Sequence, residues 1–422
     1  MNLMANMRRE STLMLRDRAV IAWAGVIFLL AVYAVWVGMA EVKQQRESIT
    51  WLLQQDKLER DAALTHQSDY GGVAYYSFHL TYDEPSNLAF AAMGLRDETA
   101  WKHRVRMLAL EGQIYERDAG NPVFALIGRL DFAFLMAVVW PLALIMLLHD
   151  LKSSERVAGR YNLLVATAAQ QSALWVSRAL LRAGLLLVVA VLPFVTGALL
   201  SGASLLAIVL VLAMVIIYAV FWLLVCYWLA SWQQPSPTIL AANLGVWLLL
   251  AVVIPLAGRI TIDQIVPLPS GSEILMTQRE AVNDAWDLPK QDTFDAFVAT
   301  HPQWQEQAKV GQGFQWDWYY AFQQVGDQKT QALSDAYRDG RLHRHALAGL
   351  VAWVAPPALL ERSMQRIAQT DLKSVITYES KIREFHAQLR QFYYPLLFGD
   401  GAFDADNLQQ RPNFSLTHSN DS

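Results

Sequence analysis

Cysteine is almost absent from this chain of 422 residues: Cys226 stands alone, so no intrachain disulfide holds any part of it together. Domains outside the cytoplasm that rest on packing alone suit a bacterial envelope, whereas small secreted scaffolds usually need bridges. Charge is scarce as well, at 17% of residues, and the formal net of −4 argues against a nucleic-acid partner. No glycine is followed by lysine, which excludes a G-x-x-x-x-G-K-[ST] phosphate loop; any ATP hydrolysis must come from another polypeptide. HExxH and GxSxG are missing too, and nothing in the chain calls for a metal or a cofactor.

What is abundant is apolar surface. Hydrophobic residues make up 54% of the chain and mean hydropathy is +0.21, too apolar for an ordinary globular protein and too charged to lie wholly in lipid. The expected fold class is therefore mostly α, a polytopic transmembrane helix bundle with two mainly helical extracytoplasmic regions. Fifteen tryptophans and fifteen tyrosines supply the interfacial anchors that such a bundle uses.

Long apolar runs predict five spans, at 19–40, 132–148, 173–197, 205–230 and 238–258, all charge-free except for Arg178 and Arg182 at the start of the third. The first follows Arg8, Arg9, Arg16 and Arg18, which orient the N-terminus to the cytoplasm. It ends at Trp36 and Met39 rather than at small residues, so it reads as a retained helix and not a signal peptide. Ahead of it, 1–18 forms a short helix on the inner leaflet, with Met4 to Leu15 amphipathic. Helical spacing continues past Ala40 through Val42, Ile49, Leu52 and Leu53, so the first helix projects beyond the membrane into an extracytoplasmic insertion, 41–131. Tyr75 to Tyr82 alternates like a strand.

Between the second and third runs lies a connector, 149–172, carrying His149, Asp150, Lys152, Glu155, Arg156 and Arg160. It is too polar for lipid and too short for a domain, and its three basic residues place it on the cytoplasmic side. There a soluble motor can push on it.

The run Asp150, Glu155-Arg156, Gly159, Leu163-Leu164 and Arg178 resembles the D…ER..GT…LL…K pattern between the second and third helices of ABC-2 type transporter permeases. Upstream, Pro85 to Asp97, Arg104 to Pro122 and Gly128 to Phe134 are similar to a branch of those permeases with large extracytoplasmic insertions of unassigned role. The likeness spans Arg16 to about Phe414 and departs at Arg160 and Gln170, where the family usually carries Thr and Pro. It implies a permease subunit of an ATP-driven exporter in the inner membrane of a Gram-negative bacterium. Its implied partners are a separate ABC ATPase subunit, contacted through Asp150, Glu155, Arg156, Gly159 and Arg160, a second permease copy, and the lipid bilayer. A membrane-anchored extracytoplasmic scaffold or receptor without transport activity is the competing reading.

Other residues carry two readings each. Arg178 and Arg182, one turn apart, either snorkel to lipid phosphates or contact the connector through Glu155 or Asp150. Asp131 either caps the second span or touches a substrate path. His343 and His345 point to different sides of a helix and read as solvated surface rather than as a metal pair. Ala34/Gly38 and Ala241/Gly245 have the spacing of close helix crossings between protomers.

Everything after Gly258, 259–422, reads as an extracytoplasmic helical domain. Ser270 and Glu273 predict a capping box, Pro289 and Pro302 bracket a short helix, and longer helices are expected from Trp316 to about His343 and from Asp371 to Tyr394, the latter ended by Pro395. The aromatic cluster Trp304, Phe314, Trp316, Trp318, Tyr319, Tyr320 and Phe322 reads as its core, with a site for an apolar ligand outside the membrane as the other reading. Ala346 to Leu360, short and broken by Pro356-Pro357, is expected to pack in the domain or dip into the outer membrane face; a sixth crossing there is the rival topology.

Overall fold

The computed structural model describes residues 3–116, 130–167 and 171–415. Parts of the expected regions fall outside them: the start of 1–18, residues 117–129 of 41–131 (the end of Arg104 to Pro122, and Gly128), residues 168–170 of the connector with Gln170, and 259–422 beyond residue 415.

The chain is mostly helical. Among the described residues five helices are long and apolar enough to cross a membrane: Arg18–His66, Phe132–Val157, Ala173–Leu200, Leu205–Ala230 and Ser236–Ile265. Each coincides with an expected apolar run; Leu205–Ala230 matches its run residue for residue, and the other four extend theirs at one or both ends. They are called the first to fifth apolar helices below.

The first has 49 residues, capped by the Asp17 carboxylate on the Ala19 N–H. Its buried positions, Val20, Ala24, Ile27, Ala31, Ala34, Val35, Gly38, Val42, Gln45, Ile49, Asp56 and Ala63, recur every three or four residues and form one seam. Low on the seam the partner is the third apolar helix. Higher up the seam turns polar and meets polar partners: Gln45 accepts from Arg96 Nε at 2.7 Å, and Asp56 accepts from Arg104 Nε at 2.9 Å. Leu53, expected on this side, is exposed. Gly38 serves the chain's own fold, since a Cβ there would fall on the Phe90 carbonyl, whereas Ala241 and Gly245 are exposed and Gly245 has open space beside it.

Two prolines inside apolar helices are absorbed in the same way. Pro141 has no N–H, so the carbonyl four residues back, Ala137, lacks its helical donor. The backbone widens into a π turn over Leu135–Val139, the Tyr218 hydroxyl donates to the Ala137 carbonyl, and Trp247 Nε1 donates to that of Val138 at 3.1 Å. Pro255 likewise follows a π turn, Leu249–Val253. Where lipid offers no water, such replacements are required rather than optional.

The remaining residues build a polar region at one end of the bundle. Strands β1 (His79–Tyr82) and β2 (Lys102–Val105) pair antiparallel, with His79 opposite Val105. The alternation from Tyr75 is a strand only from His79, because the Asp69 carboxylate caps the Gly72 N–H and winds Tyr70–Tyr76 into a helix. The capping box at Ser270 and Glu273 is present and starts Gly271–Asp287. Phe294, Phe297, Trp318, Tyr320, Phe322, Ile382 and Leu389 share one buried core, each worth roughly 1.5–3 kcal/mol relative to exposure. Asp327 sits inside it, accepting from Leu110 N at 2.8 Å, Gln278 Nε2 at 2.7 Å and Arg390 Nη2 at 2.6 Å. The last long helix, Leu372–Phe398, runs through Pro395 and ends a turn later than expected; a proline near a helix end forfeits one bond without breaking the turn that follows.

Residues 346–360 do not form one rod. Helix Trp316–Val354 runs well past His343, and Pro356–Ile367 follows after Ala355 alone. Pro356 and Pro357 occupy the first helical turn, where a missing N–H costs nothing. Arg362 Nη2 donates to the His345 carbonyl at 2.9 Å, so the chain has doubled back between them. This hairpin lies against the fourth and fifth apolar helices, and Gly258 leaves the room that Val351 fills.

Candidate functional site

The connector begins where the second apolar helix runs out of apolar residues. His149 Nδ1 stands 3.0 Å from the Met146 carbonyl, and the Asp150 carbonyl accepts the Ser154 N–H at 3.1 Å, starting a short helix, Ser153–Val157. Gly159 turns the chain with φ +68°, a left-handed conformation that a side chain would strain. Helix Tyr161–Thr167 follows.

Glu155 is the centre of what holds this segment. Its carboxylate accepts from Arg160 Nε at 2.9 Å and from Arg178 Nη1 at 3.1 Å, and Arg178 Nε reaches on to Glu10 at 2.8 Å. Glu10 is buried and belongs to helix Leu3–Met14, which packs along the third apolar helix. A half-buried chain of alternating charges thus fastens the N-terminal helix, the connector and the third apolar helix to one another. The contact from Arg178 to Glu155 matches one of the two readings the sequence left open for this arginine.

Arg182 behaves differently from its expected role. It donates to the Leu147 carbonyl at 2.6 Å and to Asp17 at 3.4 Å, so it serves an orphan carbonyl at the end of the second apolar helix. Among the described residues neither arginine makes an ion pair with Asp150. Arg156 donates to the Trp232 carbonyl at 2.9 Å and covers the Tyr161 ring at 4.9 Å, while Lys152 lies 4.8 Å from the Tyr227 ring centre. The fourth helix and the turn after it therefore steady the connector from its other side.

Sequence reasoning missed Glu10, Asp17 and Trp232, all distant in the chain. It also missed two apolar side chains turned outward on the connector, Val157 at 85% and Leu163 at 65% exposure. An apolar pair on a polar, charged segment is the kind of surface a partner covers.

At the other end of the bundle Asp131 caps the second apolar helix. Its Oδ1 accepts the Phe134 N–H at 2.8 Å and its Oδ2 the Met93 N–H at 2.9 Å. Both oxygens are thus engaged with backbone, as the capping reading expects. Burial raises its pKa to about 6. Facing it from the hairpin is Glu361, pushed up to about 7 by burial and then by Asp131.

No group of three or more His, Cys, Asp or Glu side chains among the described residues is placed to hold a metal ion. His343 is exposed as expected, but His345 is half-buried, with Nε2 3.2 Å from Arg362.

Residues 272–417 match a family described as a domain of unknown function, DUF3526. The matched stretch takes in the hairpin and most of the polar region after the fifth apolar helix. No curated protein matches the chain, and no solved structure does.

Proposed function

We propose that this chain is the membrane-spanning permease subunit of an ATP-driven ABC-2 type exporter, driven through the 149–172 connector by a separate ATPase subunit. The observation that carries the reading is the connector: a short helix, Ser153–Val157, anchored inward through Glu155 and Arg178 while Val157 and Leu163 face outward. Anchoring of this kind transmits a push into the third apolar helix and the N-terminal helix together. The resemblance of Asp150, Glu155, Arg156, Gly159 and Arg178 to the permease pattern supports it, as does the missing phosphate loop.

In this reading the N-terminus and the connector lie in the cytoplasm of a bacterial cell, and the regions 41–131 and 259–422 lie outside its inner membrane. The chain works beside a second permease copy, since five helices enclose little space for a path. Purification of the tagged chain in mild detergent, with and without nucleotide, tests it: an ATPase is expected to be recovered with wild type and lost or uncoupled on exchange of Val157 and Leu163 for Glu. Recovery of no ATPase under any nucleotide condition would sink the proposal in favour of a membrane-anchored scaffold.

A further inference from the structure

A groove of about 800 Å³ opens on the side of the molecule between the fourth apolar helix and the hairpin, within the roughly 300–1,000 Å³ of ligand pockets. Its two ends differ in chemistry. Toward the hairpin tip it is lined by Ile217, Phe221, Leu350 and Trp353, with Leu350 at 66% and Trp353 at 73% exposure. Arg362 lies about 9 Å up the helix from Pro356 at 1.5 Å per residue, and with Arg366 and Lys373 it lines the other end.

Those three cations outnumber the acids beside them. Elsewhere the buried arginines of the polar region meet carboxylates: Arg383 reaches Glu111 at 2.7 Å and Arg390 reaches Asp327 at 2.6 Å. Arg362, half-buried, donates instead to the His345 carbonyl at 2.9 Å. Among the described residues neither Arg362 nor Arg366 nor Lys373 forms an ion pair. Asp371 is the one acid among the described residues that line the groove; its carboxylate accepts from Ser374 N at 3.2 Å and Oγ at 3.0 Å and offsets part of the Arg362 charge, which leaves the groove with a net positive excess. An excess of cations above an exposed apolar trough, beside a membrane helix, complements an amphiphile with an anionic head.

We propose that the groove seats one anionic phospholipid, its phosphate on Arg362, Arg366 and Lys373 and its acyl chain along Phe221, Leu350 and Trp353. The polar end faces the polar region and the apolar end faces the middle of the bundle, which is the orientation a lipid has in the leaflet on that side. The proposal rests on the apolar helices lying in a bilayer and needs no ATPase, so it and the permease reading fail in separate experiments.

The test uses the full chain in detergent, titrated with dioleoylphosphatidylglycerol, dioleoylphosphatidylcholine or inorganic phosphate and read by native mass spectrometry. One phosphatidylglycerol per chain is expected to be retained at least tenfold more tightly than phosphatidylcholine, with no displacement by millimolar phosphate. Arg366→Glu with Lys373→Glu, exposed positions without hydrogen bonds to the fold, should lower that retention at least tenfold while the melting temperature stays unchanged. Trp353→Asp should lower it for both lipids. Equal retention of the two lipids, indifference to the charge reversals, or displacement by inorganic phosphate would each overturn the proposal, the last by pointing to a soluble anion.

Discussion

The hydroxyl of Tyr218 donates to the carbonyl of Ala137, the group that Pro141 deprives of its helical partner. The two helices are joined at the point where one has lost a bond. Tyr218→Phe should therefore strand a buried carbonyl and cost about 1–3 kcal/mol, seen as a lower melting temperature in detergent. Pro141→Ala restores the N–H, so the loss from Tyr218→Phe should shrink in that background. Equal losses in both backgrounds would break the link.

Glu155 holds two arginines, and only one of them is firmly packed. Arg178 is 15% exposed at its side chain and Arg160 is 63%. A double-mutant cycle should give Glu155 and Arg178 about 1 kcal/mol of coupling and Glu155 and Arg160 close to none. If Arg178 carries the motor's push, Glu155→Gln should lower ATP-driven transport more than it lowers stability. Transport that falls only in step with the folded fraction would leave the pair a structural role.

Glu361 makes stability depend on pH in a direction opposite to ordinary carboxylates. Its folded pKa is about 7 against an ordinary value of 4.5, so its contribution is fully present below 4.5 and lost as pH rises through about 7. Glu361→Gln should melt higher than wild type at about pH 8, by on the order of 2 kcal/mol, and match it under acid conditions. A constant difference at every pH would exclude ionisation as the cause.

His386 in the polar core acts the other way. It is buried, its Nε2 stands 3.0 Å from the Arg106 carbonyl, and burial and then Arg390 hold its pKa well below 6.5. Its contribution is present above 6.5 and lost as the pH falls from there. Hydrogen exchange should show Leu372–Phe398 loosening under acid in wild type and less so in His386→Gln, while Pro356–Ile367 tightens over the same range.

Topology has its own test at Ser380, exposed on the last long helix. In a Cys226→Ala background, Ser380→Cys should react with an impermeant maleimide added to cells whose outer membrane alone is permeabilised. Labelling only after inner-membrane lysis would place that helix in the cytoplasm and require a sixth crossing.

The five apolar helices were legible because each is a long apolar run, a property of composition that needs no partner. The Glu155–Arg178 contact was legible because acid and base flank a connector too short to separate them. Glu10 was not, since its place depends on how helix Leu3–Met14 packs along a helix more than 150 residues away. The hairpin stayed ambiguous for another reason: Pro356-Pro357 marks a break but not the angle across it, and the reversal is fixed by Arg362 reaching the His345 carbonyl. The outward face of Val157 and Leu163 was not legible, because it depends on the register of the connector, which its sequence alone does not set.

The first apolar helix has 49 residues without an interior proline, about 74 Å of rod at 1.5 Å per residue. Its lower end is tied through Asp17 to Arg182, and its upper end through Asp56 to Arg104 and Asp61 to Arg411. Pivoted at the bottom, such a lever swings its top by about 1.3 Å for each degree of tilt. A small rotation beside the connector would thus be geared up into ångströms of travel under strand β2, with no joint between to absorb it.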